Sequence, residues 1–76
     1  MPYKNTSELP ERVLTELPLE AQRIYAAAYN MAWEQYHSLE GDARGQKADN
    51  VAWAMVRKLF EQDTEAKTWW PKMSPN

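Results

Sequence analysis

Apolar positions recur at helical spacing in two long stretches of this chain, and prolines and glycines mark where each begins and ends. At about 100° per residue, Ile24, Tyr25, Ala28, Tyr29, Met31, Ala32 and Tyr36 share one broad face with Ala21, and Trp33 lies at its edge. Arg23, Ala27, Asn30, Glu34 and His37 fall opposite. The pattern predicts a helix over residues 19–39. A second stripe, Ala48, Val51, Ala52, Met55, Val56 and Leu59, has Trp53 and Phe60 on its flank and predicts a helix over residues 47–62. Leu9-Pro10 and Leu17-Pro18 each read as a helix start, because proline is tolerated where the N–H has no partner to lose. The first opens a short helix over residues 11–16, stopped at Leu17 because the residue before a proline is pushed out of the α region. Residues 40–46 hold both glycines and read as a short polar linker that makes the long helices antiparallel neighbours. Gly41 is the expected left-handed terminator, and Asp42 would cap any earlier start of the following helix.

The expected fold is therefore all-α, one short and two longer helices over residues 9–62, between an N-terminal segment (residues 1–8) and a Trp-rich tail (residues 63–76), in one domain. The tail either folds back on the helices or pairs Trp69-Trp70-Pro71 with Pro2-Tyr3-Lys4 as a tiny terminal β ribbon. Asn30-Met31-Ala32-Trp33 and Asn50-Val51-Ala52-Trp53 repeat the pattern Asn-x-Ala-Trp. We read the echo as packing, with small residues at the helix seam and large ones covering it.

Composition narrows the chemistry. The chain has 76 residues and no cysteine, which excludes disulfides and thiolate metal sites and fits a reducing compartment. A net charge of −2 gives no polyanion-binding excess. Four tryptophans, four tyrosines and one phenylalanine are too much core material for a disordered chain. No apolar h-region and no long apolar run is present, so neither a signal peptide nor direct membrane insertion is expected, and the expected location is cytoplasmic.

No motif announces catalysis. None of Ser7, Ser38 and Ser74 sits in a Gly-x-Ser-x-Gly turn. Glu34 and His37 have the Glu-x-x-His spacing of di-iron bundles, but His37 is the only histidine and the pair falls off the core face. The acidic run from Glu61 to Glu65 lacks the glycine and ligand spacing of a calcium loop. Neither glycine precedes a Lys-Ser/Thr phosphate loop. The expectation is no enzyme, no metal and no cofactor. Trp53 and Arg57, four apart, form either a local surface pair or a base-stacking platform.

Leu9-Pro10, Leu17-Pro18, the run from Ala21 to Tyr25, the run from Ala28 to Tyr36 and the run from Val51 to Val56 occur in an order that resembles the ChaB family. The resemblance spans about residues 2–60 and is most specific between Leu17 and Tyr36. It implies a small helical domain acting as a regulator of a sodium/calcium–proton antiporter, with no catalytic residues to carry over. The chain departs from the family pattern in its two-glycine linker and in Trp69-Trp70-Pro71, where a single Trp followed by basic residues is common. The expected function is a non-enzymatic protein-interaction module with a protein partner, such a membrane antiporter by resemblance. The alternative is a nucleic-acid-associated accessory protein. The candidate partner-binding surface is Trp53, Arg57, Glu61, Asp63, Trp69 and Trp70.

Overall fold

The computed structural model describes residues 3–63, 65 and 68–72. A 3-10 turn (Thr6–Glu8) leads into α1 (Glu11–Glu16), α2 (Leu19–Gln35) and α3 (Gly41–Leu59), followed by β1 (Phe60–Asp63) and β2 (Thr68–Pro71). The fold is mostly helical, as expected, with α2 packed along α3 as the main layer.

Both Leu-Pro pairs start helices. Pro10 and Pro18 stand at the N-caps of α1 and α2, and Leu17 is extended (φ −101°, ψ 138°). The break is tied off locally: the Leu17 N–H donates to the Val13 carbonyl at 3.0 Å, and the Gln22 side-chain amide donates to the Leu17 carbonyl at 2.9 Å.

The joint between α2 and α3 differs from the sequence reading. Helix α2 stops at Gln35, and α3 begins at Gly41, so most of the expected linker is helical. Two glycines lower helix propensity, but tertiary contacts override it. The Arg44 Nε donates to the Trp33 carbonyl at 2.8 Å, and its guanidinium lies 4.2 Å over the Trp33 ring. Gly45 packs beside the Tyr29 hydroxyl and the Trp33 ring, where a Cβ would make ordinary contacts at 3.6 and 3.9 Å. Gly41 is left-handed (φ 54°), as its position suggested, but it opens α3 instead of closing α2.

The small β element is also placed differently. Helix α3 was expected to reach residue 62, yet the chain turns extended at Phe60, whose ring is buried. Strand β1 pairs antiparallel with β2, setting Glu61 opposite Trp70 and Gln62 opposite Trp69. The N-terminal segment is therefore not the strand partner; of the expected Pro2-Tyr3-Lys4 strand, Pro2 lies outside the described residues. Tyr3 docks on α2 instead. Its N–H donates to Asn30 Oδ1 at 2.7 Å, and Asn30 Nδ2 donates to its carbonyl at 2.8 Å. One amide side chain thus reads a backbone donor and acceptor as a neighbouring strand would. Asn30→Ala is expected to cost about 1–2 kcal/mol from two lost hydrogen bonds. Faster hydrogen exchange at the Tyr3 amide, with the α2 core amides unchanged, is the check.

The core joins Leu9, Val13 and Leu17 to Tyr25 and Tyr29 of α2 and to Trp53 and Val56 of α3. Ala21, Ala32, Ala48 and Ala52 are wholly buried, so the seam between the helices is built from alanines, including those of the Asn-x-Ala-Trp echo. Ala32→Leu should overpack it and lower stability by about 1–3 kcal/mol in thermal melts. Other apolar positions of the two stripes stay partly outside. Ile24, Tyr36 and Val51 are half-buried, while Met31, Met55 and Leu59 are exposed.

Candidate functional site

The strand pleat sorts the tail aromatics, since successive side chains point to opposite faces. Trp69 turns inward and is buried, while Trp70 points outward and is 60% exposed. Trp53 is buried as well. Its ring meets Tyr25 edge-on at 5.6 Å and tilts against Trp69 at 6.0 Å. The pairing of Trp53 with Arg57 does not form: Arg12 of α1 lies 4.8 Å over the Trp53 ring instead. A base-stacking platform at Trp53 is thereby closed off.

Of the six residues singled out from sequence, Arg57, Glu61 and Trp69 come together. With Phe60, Gln62 and Lys72 they line an open cleft of about 470 Å³ between the end of α3 and the hairpin. Trp53 stands behind this cleft through its contact with Trp69. Asp63 is exposed at the hairpin end, where its carboxylate accepts the Glu65 N–H at 3.0 Å and shapes the turn.

A second feature escaped the sequence reading. Ile24, Ala27, Ala28, Met31, Ala32 and Gln35 of α2 face Val51 and Met55 of α3 across a groove of about 220 Å³. Among the residues lining it, Gln35 alone is polar. Met31 stands 72% exposed at its edge, and Met55 and Leu59 are also exposed. The stripe on α2 is wider than α3 can cover. Periodicity marks a residue as belonging to the apolar face, but not on which side of the seam it lands. The readable signal was the pair Ala27-Ala28, whose short side chains leave that wall of the groove low.

On the other side of α2 lies a tyrosine cluster. The Tyr25 hydroxyl donates to Asp49 at 2.5 Å, and the Tyr3 ring packs at 4.7 Å on Tyr29. Burial is the largest cause pushing all three phenols above their ordinary range; for Tyr25, the bond to Asp49 and its negative charge add to it. These groups stay protonated through neutral pH, and the Tyr25 hydroxyl is committed to a structural bond. Glu34 and His37 are both exposed, and His37 lies beyond the end of α2. Among the described residues no group of three or more His, Cys, Asp or Glu side chains is placed to hold a metal ion, and no helix is long and apolar enough to cross a membrane.

An alanine-seamed helix pair closed by a β hairpin, with an apolar groove left open along the pair, defines a small mostly helical fold. The family model for ChaB matches residues 9–72, and the chain belongs to the ChaB family. It is 45% identical to the protein named "Putative cation transport regulator ChaB" of Escherichia coli K12, an alignment covering 97% of this chain and all of that protein. The protein of that name from Shigella flexneri matches equally well. A solution NMR structure of ChaB has 39% identity and superposes with a TM-score of 0.82, covering 95% of this chain and all of that one.

Proposed function

We propose that residues 1–76 act as one non-enzymatic interaction module that regulates cation transport by docking onto a transport protein from the cytoplasmic side. The relatives' name supplies the regulatory role. In this reading the partner is a sodium/calcium–proton antiporter, the kind that the resemblance to the ChaB family implies. The observation that carries the docking reading is the α2/α3 groove, which leaves a methionine 72% exposed beside an almost wholly apolar wall. Apolar surface kept in water at such a cost marks an interaction face, and methionine adapts its shape to a partner. Trp70, Arg57 and Glu61 on the hairpin side offer a second, more polar contact. The nucleic-acid reading draws less support, because the net charge is −2 and Arg12 covers the Trp53 ring.

The test is binding of the full chain to the detergent-solubilised antiporter, with wild type and Met31→Glu compared. Wild type should bind, and Met31→Glu should weaken binding about thirtyfold, the effect of losing one anchor of about 2 kcal/mol. Because Met31 is exposed, its thermal midpoint should stay near that of wild type. No binding by wild type, or equal binding by the variant, removes the proposal.

A further inference from the structure

The two edges of the α2/α3 groove carry different charge. On α3, Lys47, Val51, Ala54 and Lys58 recur at i, i+4, i+7 and i+11, so both lysines share the face on which Val51 and Met55 line the groove. Both lysines are exposed, and among the described residues neither has an ion-pair partner. The acid lying between them in sequence, Asp49, is held by the Tyr25 hydroxyl on the core side. On α2 the outer edge carries Glu20 and Glu34, with Arg23 further round the helix.

We infer that the groove receives an amphipathic helix of the partner, with its apolar stripe laid against Met31 and Met55 and an acidic edge along α3. The inference rests on the docking role proposed above and specifies its ligand. Lys47 and Lys58 are separated by about 16 Å of helix, at 1.5 Å rise per residue. Partner carboxylates at i and i+11 on a helix running beside α3 therefore meet both lysines. A basic residue on the partner's other edge faces Glu20 and Glu34. Helix-in-groove recognition of this kind takes its affinity from the apolar anchors. Exposed charge pairs add little energy, but they select the partner and set its orientation.

Two synthetic helical peptides of about 20 residues test this, in the usual length range of a stable helix. Both carry the same leucine stripe; one has Glu at i and i+11 along one edge, and the other has Lys there. Each is titrated into the isotope-labelled full chain and followed by NMR. Both should shift the amides of Ala27, Met31, Val51 and Met55. The Glu peptide should bind roughly fivefold tighter, the sum of two modest surface pairs. That preference should fade in high salt and invert in the double variant Lys47→Glu, Lys58→Glu. Equal affinity for the two peptides overturns the acidic-edge inference while leaving the docking role standing. No groove shift with either peptide removes both. A dimer of the chain in sedimentation that Met31→Glu dissolves assigns the groove to a second copy and likewise overturns the inference.

Discussion

Replacing Trp53 with alanine is expected to lower stability by about 3–5 kcal/mol, the usual cost of truncating a large buried aromatic. Trp53 is where the separate parts of the fold meet. It touches Tyr25 of α2, Trp69 of β2 and the Arg12 guanidinium of α1. Its removal opens a cavity at that junction and frees the hairpin from α3. Trp69 would lose its aromatic neighbour in the same step, so the hairpin should melt with the helices. Trp70→Ala is the contrast: its side chain is 60% exposed, and surface changes of this kind stay within about 0.5 kcal/mol. Urea denaturation of the two variants gives the comparison, and similar midpoints for both would refute this account of the junction.

The second large effect is loss of stability at alkaline pH. Burial, then the bond to Asp49, holds the Tyr25 phenol protonated well above its ordinary range, and Tyr3 and Tyr29 shift the same way. Below pH about 10 the phenols are neutral in both folded and unfolded chains, and their stabilisation is fully present. Above that pH the unfolded chain releases protons that the folded chain retains, so stability falls as pH rises toward the folded values. For Tyr25 the slope is at most about 1.4 kcal/mol per pH unit, reduced by whatever solvent reaches the hydroxyl. Thermal midpoints should be flat from pH 7 to 9 and drop steeply beyond 10. Tyr25→Phe should flatten that drop, while costing about 1 kcal/mol at neutral pH by leaving Asp49 without its donor. Equal alkaline slopes for variant and wild type would show that this hydroxyl is not held neutral by the fold.

Much of the architecture follows from local rules that act wherever the residues sit. Leu17 is extended because Pro18 follows it, in any tertiary setting. The stripes of α2 and α3 follow from helical spacing, and the alanines at their centres can only suit a close seam. Gly41 takes the left-handed torsion that glycine adopts at little cost. These elements were legible because proline, glycine and alanine act through their own covalent geometry.

The site was less legible, because it depends on how much of each stripe its neighbour covers. Met31 and Tyr29 read alike on the helical wheel, yet Tyr29 is buried under Tyr3 while Met31 stands in water. Trp69 and Trp70 are adjacent in sequence, and only pairing with β1 decided which one faces the core. Arg12, forty-one positions before Trp53, took the ring face assigned to the nearby Arg57. Asn30, on the polar side of its helix, found a use only once the N-terminal segment lay across it. Backbone propensity and side-chain period are properties of a segment, and the sequence by itself determined the two proline-led helix starts, the apolar stripes and the alanine seam through them, whereas the start of α3 at Gly41 came with the contacts of Arg44 on Trp33. Burial and exposure belong to pairs of segments, so the open groove, the inward Trp69 and the latch on Tyr3 were decided by tertiary packing alone.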